Sequence, residues 1–256
     1  MTSNATLTGH TDARLQALPT AKIVRRQDYT DDLFKVWLEP SVPFSFKPGQ
    51  YITIGCRDIE RPYSIASAPD EEYIELFIEY VHPEYGGKLT PLLYAQHVGD
   101  VVSMRPRPKG IFLFNDKYTD HVLVGTVTGV APYVSFIRQF LIDGRSGHRF
   151  FVMEGASHQN EFVYDEELIA LSKEHDFVTF LPTVSRPQAE GNQGWTGPTG
   201  RVNALVEEYV ERWGLSKGAT LIYLCGNPGM IEDVKERMGP KGWKYEEERF
   251  WKEEDE

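Results

Sequence analysis

The chain has 256 residues, of which 41% are hydrophobic and 25% are charged, values typical of a folded protein large enough for two cores. Its two cysteines are too few for a four-cysteine zinc or iron–sulfur site, so we predict no metal site and expect any redox chemistry to need an organic cofactor. The net charge of −11 argues against a nucleic-acid partner, and no apolar run is long enough to span a membrane. Because the N-terminus lacks a signal-peptide apolar region, we expect a cytoplasmic protein.

The first half of the chain has the pattern of short β-strands. Residues 1–20 show no periodicity and are interpreted as a flexible leader. Runs rich in β-branched and aromatic residues follow, separated by turn residues. They are Ile23–Tyr29, Leu33–Leu38, Tyr51–Cys56, Arg61–Ala66, Tyr73–Val81 and Val101–Arg105. A helix is predicted from about Thr90 to His97. Six short strands predict a small antiparallel β-barrel over residues 21–115.

The second half has apolar strands that alternate with helices. The predicted strands are His121–Gly125, Arg149–Met153, Phe177–Leu181 and Leu221–Cys225. One helix is predicted near Pro132–Ile142, and another has its apolar residues on one face from Leu205 to Trp213, with Gly214 as the stop. This alternation predicts an α/β domain with a parallel sheet over residues 116–256. The acidic tail from Glu246 to Glu256 is interpreted as a solvated end.

The segment Arg61-Pro62-Tyr63-Ser64 lies on a predicted strand of the barrel. A flat ligand could stack on the Tyr63 ring, with Arg61 binding a phosphate and Ser64 offering its hydroxyl to a ring nitrogen. A surface ion pair for the arginine and structural positions for the other residues explain the same segment about equally well.

A second segment, Gly86 to Pro91, predicts the start of a helix after two glycines. Thr90 suits the N-cap and Pro91 the first helical position. Free backbone N–H groups at such a start favour a phosphate, although an ordinary capped helix is the plainer alternative.

Two further segments, Gly125–Pro132 and Cys225–Met230, each join a predicted strand to a helix. Open α/β sheets bind ligands at such strand ends. The first segment is neither a Gly-x-Gly-x-x-Gly fingerprint nor a P-loop, and its position alone is what points to a nucleotide pyrophosphate. In the second segment Asn227 can cap the helix and Pro228 can open it, whereas a lone cysteine such as Cys225 is more often simply buried.

Ser185, Arg186 and Arg201 follow the third predicted strand of the α/β domain. No acid directly follows that strand to bind a ribose 2′-hydroxyl, and a serine with two arginines suits a 2′-phosphate instead. Surface arginines are common, so this signal is weak by itself.

These segments occur in the order and spacing of one family. The sequence resembles the ferredoxin–NADP⁺ reductase superfamily over about residues 21–251, and is most similar to the short bacterial ferredoxin/flavodoxin–NADP⁺ reductases. The resemblance implies FAD on the barrel and NADP(H) on the α/β domain. It further implies hydride exchange between the two cofactors and single-electron exchange with ferredoxin or flavodoxin.

The resemblance also implies roles for individual residues. Ser64, Cys225 and Glu248 are the implied catalytic residues, the last two near the nicotinamide. The implied cofactor-binding residues are Arg61, Pro62, Tyr63, Ser64, Ile78, Glu79 and Tyr80 for the flavin side, Lys88, Leu89 and Thr90 at the pyrophosphate helix, Thr126 and Thr128 in the pyridine-nucleotide loop, Ser185, Arg186 and Arg201 at the 2′-phosphate, and Phe250 or Trp251 as the aromatic that covers the flavin.

Two positions depart from the family pattern. Val127 stands where the family usually has glycine, and Ser157 stands where some bacterial relatives have arginine.

An NADH-dependent oxygenase reductase or a flavin reductase of the same fold is an alternative function, and a non-catalytic nucleotide-binding subunit is a remote one. An acidic electron carrier would need a local basic face on this acidic chain. The alternative is that the basic residues are only scattered surface charge. The candidates for that face are Lys22, Arg25, Arg26, Arg105, Arg107 and Lys109.

Overall fold

The structure, a computed structural model, describes residues 18–249. Its N-terminal part contains the strands β1 (Thr20–Asp28), β2 (Leu33–Pro40), β3 (Tyr51–Cys56), β4 (Ile59–Ser64), β5 (Ile74–Glu79) and β6 (Val101–Met104), with the short helix α1 (Thr90–Tyr94) between β5 and β6. The strand order is β4-β3-β6-β1-β2-β5, and every neighbouring pair is antiparallel. Ile65, just after β4, bridges Leu76 of β5, so the two outer strands meet and the sheet closes into the predicted barrel.

Alternating side chains fill the interior of the barrel. Ile52 and Ile54 of β3, with Leu76 and Ile78 of β5, have no exposed surface and belong to one apolar cluster. Successive residues of a strand point to opposite faces, so the other residues remain on the outside of the barrel. Ser64, the last residue of β4, is buried.

The C-terminal part is an α/β unit. Its elements are β7 (Asp120–Thr126), α2 (Ala131–Ile142), β8 (Arg149–Ala156), α3 (Asp165–Glu174), β9 (Val178–Val184), α4 (Val202–Arg212), β10 (Thr220–Cys225), α5 (Pro228–Met238) and β11 (Lys244–Glu248). The order β11-β10-β7-β8-β9 is parallel throughout. Helices α2 and α3 cover one face of the sheet, and α4 and α5 cover the other. The neighbouring residues Val152 and Met153 of β8 show this, because Val152 packs in the apolar cluster under α2 and α3 and Met153 packs in the cluster under α4 and α5. The order in which strands are added to the sheet reverses between β7 and β10. The chain first adds β8 and β9 on one side of β7 and then β10 and β11 on the other. Open α/β sheets bind ligands at such a switch point.

Two local predictions are wrong. Leu89, not Thr90, occupies the cap of α1, and the helix ends at Tyr94 rather than near His97. The Thr90 hydroxyl instead accepts a hydrogen bond from the Val81 N–H at 2.9 Å, which ties the helix to the segment that follows β5.

The acidic tail does not begin as a solvated end, because Glu246 to Glu248 belong to the edge strand β11, paired with β10. An edge strand has one side open to solvent and therefore tolerates charged residues. Residues 1–17, and Phe250 and Trp251 with the rest of the tail, lie outside the described residues. Within residues 18–249 no helix has both the length and the apolar character needed to cross a membrane.

A buried ion-pair network joins the barrel to the α/β unit. Arg138 of α2 donates to Glu75 of β5 at 2.7 Å and to Glu167 of α3 at 2.7 Å. The Lys35 Nζ lies 3.3 Å from the Glu75 carboxylate, and the Tyr164 hydroxyl donates to it at 2.8 Å. Burial would raise the pKa of Glu75, but Arg138 and Lys35 hold it below its ordinary value. The network therefore links ionised groups across the domain interface.

Candidate functional site

A cleft of about 770 Å³ lies between the two domains, a volume in the range of sites for small ligands and cofactors. The end of β4 and the turn before α1 form its barrel side, and the loops after β7, β8, β9 and β10 form the other side. The predicted site residues that line it are Arg61, Pro62, Tyr63, Ser64, Glu79, Lys88, Leu89, Thr90, Thr126, Thr128, Ser185, Arg186 and Arg201. Segments that are far apart in the chain thus meet in one cavity.

The three predicted catalytic residues converge where the domains touch. The buried Ser64 hydroxyl donates to Glu248 Oε2 at 3.0 Å, across the domain interface. Glu248 ends β11 and is the register partner of Cys225, which ends β10. The Cys225 side chain has no exposed surface and does not itself line the cleft. A hydroxyl, a carboxyl group and a thiol from both domains therefore lie in one small region.

Burial controls the ionisation of this region. Burial raises the pKa of Glu248 to about 7, against the opposing effect of the hydrogen bond from Ser64. Burial, and then the Glu248 carboxylate, raises the pKa of the Cys225 thiol well above its ordinary value. Burial also raises the pKa of Tyr63. Near neutral pH Glu248 can therefore gain or lose a proton, while the thiol and the phenol stay neutral.

The shifted pKa of Glu248 predicts a pH-dependent stability. The folded state binds the Glu248 proton more tightly than the unfolded state, so the contribution of this group is full below about pH 4.5 and is lost as the pH rises through 7. We expect Glu248→Gln to remove about 3 kcal/mol of the decrease in unfolding free energy between pH 4.5 and 8. Urea unfolding at a series of pH values measures this. The exposed Glu84→Gln should keep the wild-type slope, and an unchanged slope in Glu248→Gln would contradict the shift.

The loops after β7 and β10 are locked together beside Cys225. The Thr126 hydroxyl accepts a hydrogen bond from the Asn227 N–H at 2.8 Å. Asn227 caps α5 by accepting from the Met230 N–H at 3.2 Å, which confirms the predicted cap. A Cβ added at Gly129 would lie 2.2 Å from the Cys225 carbonyl oxygen, so only glycine permits this approach. The loop after β7, which was predicted to bind the pyridine nucleotide, is therefore held at a fixed distance from the end of β10.

The cations of the cleft form two groups. Arg61 and Lys88 lie on the barrel side, and Arg186 and Arg201 lie on the α/β side, all exposed. A Cβ at Gly87 would lie 1.8 Å from the Val81 carbonyl oxygen, so glycine is needed for the tight turn that presents Lys88. Two separate groups of cations fit two phosphate-bearing cofactors, one on each domain. The residues present therefore fit FAD and a phosphorylated pyridine nucleotide.

Some predicted residues are not brought into the cleft. The Ile78 side chain is buried in the barrel core, and the Tyr80 ring packs against Tyr94 with ring centroids 5.0 Å apart. Any contact of these residues with a flavin would have to come from their backbone atoms and not from these side chains, and their role stays a prediction. The predicted covering aromatics Phe250 and Trp251 lie outside the described residues.

Sequence reasoning missed part of the lining. Leu33, Phe77 and Ala131 contribute apolar surface from β2, β5 and α2. Each of them looks like an ordinary core residue in its own element. Their exposure to the cleft depends on how the two domains pack, which no local pattern encodes.

Comparison with known proteins agrees with this geometry. A family model described as an FAD-binding domain matches residues 18–98, and one described as an oxidoreductase NAD-binding domain matches residues 123–236. A ferredoxin–NADP reductase B of Sorangium cellulosum is 31% identical over 205 residues, which cover 75% of this chain and 79% of the relative. The chain belongs to the ferredoxin–NADP⁺ reductase superfamily. The barrel is thus the FAD domain and the α/β unit the NAD(P) domain, and both cofactors belong to this fold.

Other members of the superfamily differ in their partners. The ferredoxin–NAD(P)⁺ reductase component of a naphthalene 1,2-dioxygenase system from Pseudomonas putida is 30% identical over 215 residues, 82% of this chain. The chain spans 61% of that relative, less than two thirds of its length. The crystal structure of a ferredoxin NADP⁺ reductase from Neisseria gonorrhoeae with bound FAD and NADP matches with a TM-score of 0.78 at 22% identity, over 91% of this chain and 98% of that one. This last likeness shows the shared fold.

Proposed function

We propose that the protein is an FAD-dependent reductase that exchanges a hydride with NADP(H) and single electrons with ferredoxin or flavodoxin. The observation that carries the proposal is the hydrogen bond from Ser64 to Glu248, beside Cys225, at a cleft lined by both domains. Bound FAD would supply the conversion between the two-electron chemistry of NADPH and the one-electron chemistry of a protein carrier.

On the barrel side the residues bind and orient the flavin. Arg61 and Lys88 hold its phosphates, and the half-buried, neutral Tyr63 offers a flat surface to its ring system. Ser64 offers its hydroxyl at the same end of β4. Because the Ser64 hydroxyl also contacts Glu248, a proton held by Glu248 lies within one hydrogen bond of the flavin-facing hydroxyl.

On the α/β side the residues hold the pyridine nucleotide. Ser185, Arg186 and Arg201 line this side of the cleft and would bind a 2′-phosphate, which would favour NADP(H) over NAD(H). Thr128 and its loop receive the pyrophosphate at the switch point of the sheet. Cys225 lies behind the cleft surface at the end of β10, where it would support the site of the nicotinamide without itself being exposed to it. Such positioning converts an encounter of two cofactors into a nearly unimolecular step.

The electron carrier would dock on a smaller basic face than the sequence indicates. Arg26 is committed to the Tyr94 carbonyl at 2.6 Å, and Arg105 pairs with Glu60 at 2.5 Å. Arg107 and Lys109 are exposed and form no ion pair within the described part of the chain. The next residue, Gly110, lies against Glu248, so this face borders the catalytic region.

Charge reversal tests the docking face. In Arg107→Glu/Lys109→Glu we expect the second-order rate of carrier reduction at low salt to fall about ten-fold and its salt dependence to flatten, because electrostatic steering is lost. Lys173→Glu/Lys217→Glu is the matched control, since both lysines are exposed and lie just before the amino ends of β9 and β10, at the opposite end of these strands from the loops that line the cleft. A wild-type salt profile in the first variant would remove the docking role.

The alternatives predict different behaviour. An oxygenase reductase would prefer NADH, and a flavin reductase would reduce free flavin. A non-catalytic subunit would not oxidise NADPH at all. Steady-state kinetics with NADPH, NADH and free flavin separate these cases, and preference for NADPH with a bound, non-exchanging flavin is the result expected here. Both cysteines, Cys56 and Cys225, are free and buried, which fits the reducing cytoplasm that we propose as the location.

A further inference from the structure

Val127 has an unusual backbone conformation at the cleft. It begins the short 3₁₀ turn Val127–Val130 after β7, and its φ is +46°. Among the described residues only Arg57 is another non-glycine residue with positive φ. A β-branched residue in this left-handed region is a genuine outlier, because its branched Cβ crowds the backbone. Strain of this kind persists only where the surroundings impose it.

The surroundings do impose it, because the loop is held on both sides of Val127. Before it, the Thr126 hydroxyl accepts a hydrogen bond from the Asn227 N–H at 2.8 Å. After it, Gly129 lies against the Cys225 carbonyl at a distance that leaves no room for a side chain. A change of Val127 to negative φ would have to move one of these contacts. The conformation is therefore set by the junction between β7 and β10.

The side chain of Val127 stands between the loop and the cleft. It is half-buried, packs against the small cluster of Ala156, Phe162 and Val184, and lines the cavity between Thr126 and Thr128. A glycine would adopt the same φ without strain and without filling this space. The isopropyl group thus occupies volume where a ligand could otherwise approach the loop backbone.

We infer that Val127 is a specificity-determining residue that limits how closely the pyrophosphate of the pyridine nucleotide approaches the loop after β7, and so keeps the nucleotide weakly bound. This rests on the proposed function, since it assigns the α/β side of the cleft to NADP(H). The residue acts through the bulk of its side chain and leaves the 2′-phosphate cations Arg186 and Arg201 unaffected.

The test uses calorimetric titration of the FAD-loaded protein with ligands that lack a nicotinamide, so that no turnover occurs. The ligands are 2′-phospho-ADP-ribose, which carries the pyrophosphate, and 2′-AMP, which does not. We expect Val127→Ala and Val127→Gly to lower the Kd for 2′-phospho-ADP-ribose at least five-fold and to leave the Kd for 2′-AMP within two-fold. Val127→Ala keeps a Cβ at positive φ, so it separates bulk from strain, and it carries the test if the glycine variant does not fold.

Arg57→Gly is the matched control. It relieves a positive φ of 55° in the exposed turn between β3 and β4, away from the cleft lining, and should change neither Kd. The inference is overturned if the Kd for 2′-phospho-ADP-ribose is unchanged in the Val127 variants, or if the Kd for 2′-AMP falls by the same factor. If the wild-type protein binds neither ligand, the proposed NADP(H) site itself fails. The two failures are therefore distinguishable.

Discussion

Replacement of Ser64 with alanine is expected to slow reduction of the bound flavin by NADPH by about 10²–10³-fold, the range found when one placed hydrogen-bond donor is removed from an active site. Ser64 lines the cleft, and its hydroxyl donates to Glu248 at 3.0 Å. The alanine variant loses this donor and leaves the partly buried Glu248 without its hydrogen bond from Ser64. Anaerobic stopped-flow measurement of the flavin absorbance after mixing with NADPH gives the rate.

The loss should fall on the rate and not on nucleotide affinity, because the predicted 2′-phosphate residues lie on the other domain. Ser64→Thr retains a hydroxyl and should recover part of the rate. Ser172→Ala, which removes an exposed hydroxyl of α3 that donates to the Ile169 carbonyl, is the matched control and should behave as wild type. A Ser64→Ala rate within five-fold of wild type would exclude the hydroxyl from the catalytic region.

Replacement of Arg138 with methionine is expected to lower the unfolding free energy by about 3–5 kcal/mol, because it leaves the buried Glu75 carboxylate with only one of its two cationic partners. Arg138 contacts Glu71, Glu75 and Glu167, and only 3% of the Glu75 side chain is exposed. Three carboxylates would then face one remaining cation, Lys35. Urea unfolding at neutral pH measures the loss.

The matched control is Arg212→Met, which removes an exposed arginine 3.9 Å from Glu208 and should cost less than about 1 kcal/mol. The double variant Arg138→Met/Glu75→Gln removes both charges and should recover part of the lost stability, since the two residues are coupled. If Arg138→Met is as stable as the control, or if the double variant shows no coupling, the network does not join the domains as described.

Much of the fold could be predicted because its elements carry their own periodic patterns. The strand Tyr51–Cys56 was predicted with its observed bounds, and the helix predicted near Pro132–Ile142 begins one residue earlier, at Ala131. The loops that follow β7 and β10 could be placed at the site because parallel strands bring their carboxyl ends to one edge. The cap at Asn227 depends on its local sequence alone, and it is present.

The remainder depends on contacts between distant segments. Strand β11 has no apolar pattern, because it is a short edge strand of mostly charged residues that are exposed or only partly buried, so the sequence predicted a solvated tail there. The role of Arg138 becomes visible only when Glu75 of the barrel lies beside it. The positive φ of Val127 is imposed by contacts of its loop with β10, and a valine gives no sign of such a conformation.

The most direct test of the account is an anaerobic titration of the purified protein with NADPH, followed by addition of ferredoxin or flavodoxin. The account predicts a yellow protein whose flavin absorbance bleaches with a stoichiometric amount of NADPH and returns when the oxidised carrier is added. A colourless protein that takes up no FAD, or a bound flavin that NADPH leaves oxidised, would contradict it.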